Sequence, residues 1–192
     1  MDTVKIKVCG VNDAAFAQAA ERLGADYLGL IFAAGSPRQV TPQLAREILS
    51  GLSGKAVPVG VFTTTDVRDI AALAQDLGLR VIQLHRRATA SDVAALKAQG
   101  LAVWTLAGGA DADAMLFDSS HGDGETALRK GPWRTILAGG ISVDNIREAL
   151  ASGADVVDVS GSLESAKGVK SIAKLEAFMR RVSVCRAAPD LV

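Results

Sequence analysis

The chain has 192 residues and a formal net charge of zero, with 21 Lys and Arg against 21 Asp and Glu; the length suits one domain with a substantial core, and the balance offers neither a basic field for nucleic acid nor an acidic docking tail. Apolar residues at 49% and charged residues at 22% are those of a soluble globular protein, and no apolar stretch is long enough to cross a bilayer. Two distant cysteines, Cys9 and Cys185, exclude a disulfide framework and fit a reducing compartment, and the N-terminus reads as a strand rather than a signal peptide, so the cytoplasm is the expected location.

The first apolar run, Val4-Lys5-Ile6-Lys7-Val8-Cys9, alternates as a strand does, and Gly10 to Asn12 lead from it into a helical stretch at 13–23. From there one phrase recurs. A helical stretch ends in Gly, and a short apolar strand follows at once. Leu23-Gly24-Ala25-Asp26 leads to the strand at 26–32, Leu77-Gly78 to 79–84, Gln99-Gly100 to 101–106 and Ser152-Gly153-Ala154-Asp155 to 155–159. Strands are also predicted near 4–9, 57–62, 113–117 and 135–138. Helices are predicted near 13–23, 41–52, 66–77, 90–99, 142–151 and 169–182. Thr41-Pro42 offers a cap with a first-turn proline, and Asp144 follows Ser142 at the start of another helix. Aromatics are scarce, which disfavours a β-sandwich, and near-continuous apolar strands alternating with helices imply a parallel sheet covered on both sides.

Eight such strands predict an α/β fold, a single (β/α)8 TIM barrel, with a doubly wound open sheet as the alternative. No Gly-x-Gly-x-x-Gly follows the first strand, which weighs against a dinucleotide site. One unit is abnormal. Only residues 107–112 separate Leu106 from Asp113. Seven extended steps reach about 23 Å, and the return along a six-residue strand is about 20 Å, so an extended link fits where a helix cannot. Helix 5 is therefore predicted to be missing, and the glycine-rich segment 119–133 to hold at most a shortened helix 6. The barrel is assigned to residues 1–182 and a loose polar tail, including Cys185, to 183–192.

In such barrels reactive side chains sit at the C-terminal strand ends. Strand 1 ends in Cys9, strand 4 in Gln83-Leu84-His85, strand 6 in Leu116-Phe117-Asp118, strand 7 in Ala138-Gly139-Gly140 and strand 8 in Asp158-Val159-Ser160-Gly161-Ser162, while Arg38 follows strand 2. A thiol there serves as base or nucleophile if its proton is loosened, although free cysteine is more often a small buried hydrophobe. Asp118 reads as a general acid, favoured in a low-dielectric mouth, or simply as a loop cap. Arg38 is suited to a bidentate carboxylate contact, or is a solvated surface arginine. Gly139 and Gly140 with Ser160, Gly161 and Ser162 offer amides and hydroxyls to a phosphate, as the loops after strands 7 and 8 of barrels do. His85 is more often a hydrogen-bonded barrel residue than a ligand. With two histidines in the chain and no ligand spacing, no metal site is expected.

Taken in order, Lys7-Val8-Cys9-Gly10, Gly29-Leu30-Ile31-Phe32 with Ser36-Pro37-Arg38, Val59-Gly60-Val61-Phe62, Gln83-Leu84-His85, Leu116-Phe117-Asp118, Leu137-Ala138-Gly139-Gly140 and Asp158-Val159-Ser160 resemble the phosphoribosylanthranilate isomerases of tryptophan biosynthesis over nearly the whole chain. The resemblance implies an Amadori rearrangement of N-(5-phosphoribosyl)anthranilate without a cofactor. In it Asp118 is the general acid, Cys9 the general base and Arg38 the carboxylate contact. Gly139, Gly140, Ser160, Gly161 and Ser162 hold the phosphate, and His85 and Asp158 make further substrate contacts. The implied partner is a phosphorylated small molecule, with no nucleic acid and no membrane, on a monomer or homodimer. Arg86-Arg87 stand where the family has Gly after Gln-Leu-His, and His121 to Thr126 replace a glycine-rich stretch with a lysine. Two other readings are an epimerase or thiamine-phosphate-synthase-like phosphosugar barrel, and a non-catalytic phosphate-ligand-binding barrel.

Overall fold

In a computed structural model that describes residues 3–107, 109, 111–118, 128 and 131–187, the eight predicted strands close into one parallel barrel. They are β1 (Lys5–Cys9), β2 (Tyr27–Ile31), β3 (Val57–Phe62), β4 (Val81–Leu84), β5 (Ala102–Leu106), β6 (Ala114–Asp118), β7 (Arg134–Ala138) and β8 (Val156–Val159). Each pairs with the next, and β8 returns to β1 with Lys7 opposite Asp158. Helices α1 (Ala14–Arg22), α2 (Pro42–Ser50), α3 (Val67–Leu77), α4 (Ala90–Lys97), α5 (Ile146–Ala151) and α6 (Ile172–Ala187) cover the outside. None of the described helices is long and apolar enough to cross a membrane.

The caps explain where the helices start. Asp13 accepts the Phe16 amide at 2.7 Å, Thr41 accepts the Leu44 amide ahead of Pro42, and Thr89 and Asp92 form a capping box. The helix predicted from 142 begins only at Ile146. Asn145 first ties the preceding turn, accepting from the Ser142 amide and donating to the Gly140 carbonyl.

A second regularity lies at the N-terminal rim. Asp26 accepts the Ile6 amide at 2.8 Å, Asp113 the Val103 amide at 2.7 Å and Asp155 the Thr135 amide at 2.6 Å. Each aspartate stands just before its own strand and satisfies a donor on the preceding one. The recurrent Gly-Ala-Asp phrase at 24–26 and 153–155 is thus a helix stop followed by a clasp between neighbouring strands. On the outer face Ile6, Val8, Leu28, Leu30, Val157 and Val159 pack beneath α1, α2 and α6, and a second cluster joins Ile82 and Val103 to α3 and α4. Inside, Val59, Val61, Leu116, Ile136 and Val156 fill the barrel, with Tyr27 edge-on to Trp104 at 5.0 Å.

Among the described residues no helix joins β5 to β6, as the short link predicts. The described residues of the link lie against the sheet instead. Ala107 donates to the Leu116 carbonyl, and Gly109 packs so close to Thr105 that a Cβ there would stand 2.5 Å from its methyl. Val103, Thr105, Met115 and Phe117, the outward positions of this strand pair, are all buried within the single chain. No second copy is required to cover them. The shortened helix 6 lies outside the described residues.

The tail assignment needs correcting. Helix α6 runs on through Ala187, and Cys185 is buried on its inner face with Met179 and Val182. The polar side chains of 183–187 are the solvent face of an amphipathic helix, which composition alone reads as a tail. Residues 188–192 lie outside the described part.

Candidate active site

The C-terminal ends of the strands open into a cavity of about 510 Å³, in the range of small-molecule sites. Cys9, Arg38, His85, Asp118, Gly139, Gly140, Asp158, Ser160, Gly161 and Ser162 all line it. The structure therefore gathers into one cleft every residue that the strand-end argument selected.

The parity of β1 decides the floor. Cys9 points inward, so Lys7, two residues earlier, does too, while Ile6 and Val8 face the helices. Lys7 is completely buried, and its ammonium donates to Asp158 Oδ2 at 2.6 Å. The alternation of β1 is thus that of a barrel strand with its polar face inward, not of a half-solvated one. Gly29, opposite Cys9 on β2, makes the room: a Cβ there would lie 2.7 Å from the Cys9 sulfur and 3.2 Å from Lys7 Nζ. Thiol and ammonium therefore face one small space.

Burial pushes the Cys9 thiol above its ordinary pKa; the Lys7 ammonium pulls it back and the Asp158 carboxylate adds to the rise. Burial pulls the Lys7 ammonium down, but Asp158 and Cys9 together bring it above the ordinary lysine value. Burial likewise pushes Asp158 upward against the pull of Lys7. Among the described residues the second oxygen of Asp158 is buried with no hydrogen-bond partner, as is Oε1 of Gln83, whose amide nitrogen lies 3.4 Å from His85 Nδ1. Two unpaired acceptors beneath one cleft call for donors from a ligand, since each costs about 1–3 kcal/mol unpaired. Asp118 ends β6 across the cleft, half-buried and paired in register with Ala138.

Arg38 is not a free surface arginine. Its Nε and Nη2 hold Glu164 at 2.5 and 3.0 Å, and its stem crosses Gly10 so closely that a Cβ there would meet Cδ at 2.5 Å. Gly139 and Gly140 take successive left-handed conformations, φ 89° and 64°, which only glycine adopts cheaply. The serine hydroxyls differ from the expectation. Ser160 donates to the Cys9 carbonyl at 3.1 Å and Ser162 to the Ile141 carbonyl at 2.6 Å. Their protons are already engaged, so an anion at these turns meets backbone amides rather than serine O–H groups.

Sequence reasoning missed Lys7, Glu164 and Lys170. Lys7 was within reach through its i, i+2 relation to Cys9. Glu164 and Lys170 lie on β9 (Glu164–Ala166) and β10 (Val169–Lys170), a small hairpin beyond β8, and their importance rests on tertiary partners that no local pattern announces.

A closed eight-stranded parallel barrel with its reactive side chains collected at the C-terminal strand ends places this chain among the (β/α)8-barrel enzymes. The comparison with known proteins narrows the class. The family described as N-(5'phosphoribosyl)anthranilate (PRA) isomerase matches residues 6–181. The N-(5'-phosphoribosyl)anthranilate isomerase of Bacillus cereus (strain AH820) is 33% identical over 207 residues, covering 95% of this chain and 99% of the relative. Among solved structures, the phosphoribosyl anthranilate isomerase of Thermus thermophilus superposes with a TM-score of 0.82 at 32% identity over 95% of this chain and 100% of that one. TrpF from Jonesia denitrificans does so with 0.83 at 30% identity over 97% and 99%. The chain belongs to the phosphoribosylanthranilate isomerase family.

Proposed function

We propose that this chain catalyses the Amadori rearrangement of N-(5-phosphoribosyl)anthranilate to 1-(2-carboxyphenylamino)-1-deoxyribulose 5-phosphate, a step of tryptophan biosynthesis. The observation that carries the reading is the placement of one thiol and one carboxyl, Cys9 and Asp118, on separate strands facing a single cleft that also holds an arginine and two amide-rich turns. Asp118 gives its proton to the furanose ring oxygen as the C1–O bond breaks, and the anilino nitrogen lone pair completes a C=N bond. The Cys9 thiolate then removes the proton from C2. The electron pair of that C–H bond moves to form an enolamine, which tautomerises to the ketone.

Arg38 receives the anthranilate carboxylate through the guanidinium edge that Glu164 leaves open, and the turns at Gly139–Gly140 and Gly161–Ser162 hold the phosphate through their amides. The unpaired oxygen of Asp158 accepts from a sugar hydroxyl. His85, with Gln83 behind it, lines the same wall. Each step moves a proton between a side chain and the substrate, so the chemistry is self-contained.

The test is loss of anthranilate-derivative fluorescence on adding freshly prepared N-(5-phosphoribosyl)anthranilate to purified protein. Turnover well above the spontaneous rate is expected, with a fall of about a hundredfold or more in Cys9→Ser and in Asp118→Asn. A rate no faster than the spontaneous one would overturn the reading.

A further inference from the structure

The hairpin β9–β10 lies outside the ring of strands, yet it reaches the cleft from behind. Glu164 is almost wholly buried, with 6% of its side chain exposed, and its two oxygens meet four partners. Oε1 receives Arg38 Nε and lies 3.2 Å from Lys170 Nζ; Oε2 receives Arg38 Nη2 at 3.0 Å and the Gly168 amide at 3.1 Å. Lys170, 1% exposed, also donates to the Ser160 carbonyl at 3.0 Å, at the root of the turn after β8. The hairpin is itself pinned. Asn12 donates to the Gly168 carbonyl, and a Cβ at Gly168 would stand 2.4 Å from the Pro37 carbonyl oxygen.

An arginine with its Nε–Nη2 edge bound to one carboxylate cannot rotate freely, and it keeps only the opposite edge for a second one. By itself the Arg38–Glu164 pair carries no net charge and would attract an anion weakly. Lys170 restores a positive balance to the trio while remaining out of solvent.

We propose that Glu164 is a positioning residue that aims the Arg38 guanidinium at the substrate carboxylate, and that Lys170 ties this clamp to the phosphate-holding turn at Ser160. The inference rests on the isomerase reading of Arg38. It makes the spacing between carboxylate and phosphate a property of the hairpin, and so a determinant of which phosphosugar derivatives fit. Neither residue touches the reacting atoms.

The test measures binding of two ligands by the full chain: the product, 1-(2-carboxyphenylamino)-1-deoxyribulose 5-phosphate, and its phenylamino counterpart without the carboxylate. The native protein is expected to favour the product clearly. Glu164→Gln should weaken the product by about tenfold or more and the phenyl compound by less than about threefold, a difference of the size a charge-assisted contact gives. In an Arg38→Met background Glu164→Gln should bring no further loss. Lys170→Met should weaken both ligands, because the phosphate turn is common to both, and the product more than the phenyl compound, because the positive balance beside the carboxylate is lost with it. Equal loss for both ligands in Glu164→Gln, no loss at all, or additive loss in the double variant would overturn the positioning role. A Lys170→Met effect confined to one ligand, or absent, would overturn the tie to the phosphate turn. A native protein that does not distinguish the two ligands would instead remove the carboxylate role of Arg38 on which the inference stands. Thermal melting of each variant separates these outcomes from loss of fold.

Discussion

Gly29 keeps open the space beside the Cys9 sulfur and Gly10 the path of the Arg38 stem, so the two glycines predict different defects. An alanine at 29 would press on the Cys9 sulfur at 2.7 Å and on the Cys9 backbone at 3.1 Å, and neither can yield without shifting β1. Gly29→Ala should therefore lower kcat by about a hundredfold while changing KM little, as a misplacement of about 1 Å does. An alanine at 10 must adopt φ +72° and displace the Arg38 stem. Gly10→Ala should raise KM more than it lowers kcat, because the carboxylate contact is lost and the thiol stays. Steady-state kinetics on the two variants distinguishes these patterns.

The proton inventory also fixes a pH dependence. Burial holds the Cys9 thiol above its ordinary pKa, with Lys7, Asp158 and Lys170 as the charges that adjust it. In the proposed mechanism the thiolate is the base, so kcat/KM should rise with pH through a pKa above that of a free thiol. A profile already flat across neutral pH would contradict this assignment. Cys9, Asp118 and Arg38 were legible in the sequence because each sits at a predictable strand end or loop. Glu164 was not, since its significance depends on an arginine 126 residues away.

At the level of elements, the order of the eight barrel strands and of the helices between them was readable, because these units carry their own periodicity and often a Gly stop or a cap. The hairpin β9–β10 was not, and residues 169–170, read as the start of the last helix, form β10. The sequence also announced the missing helix, since chain length sets what a link can span. What it did not announce are contacts made at a distance from the periodic pattern. Glu21 is the clearest. On the buried side of α1 it accepts the amides of Ser53, Lys55 and Ala56, fixing the approach to β3. Burial pushes its carboxyl up, but these amides bring it below the ordinary value. Glu21→Ala leaves three donors without an acceptor and should destabilise the fold by about 2–3 kcal/mol in urea unfolding, with kcat in the surviving folded fraction nearly unchanged. Helix α6 shows the opposite error of reading. Its last turns look polar, yet Val182 and Cys185 recur at helical spacing on the buried face.

For the molecule as a whole, the buried carboxylate of Glu164 links the cleft to acid stability. Burial raises its pKa, but Arg38, the Gly168 amide and Lys170 together bring it down to about 2 from 4.5. A lowered carboxyl contributes stability above its unfolded value and loses it as pH falls toward the folded one. About 3 kcal/mol should therefore disappear between roughly pH 4.5 and pH 2, and Glu164→Gln should show a shallower loss over that window in chemical denaturation. The Lys7–Asp158 pair bears on a different matter. It spans the seam where the ring closes, joining the first strand to the last. A slip of two residues would keep every side chain on its proper face and so go unopposed by hydrophobic pattern, but it would set Lys7 against Val156 or Ser160 and strand a buried ammonium. The pair thus acts as a key cut for one alignment of β1 on β8, and sequences without it would have to find the shear of the barrel by shape alone.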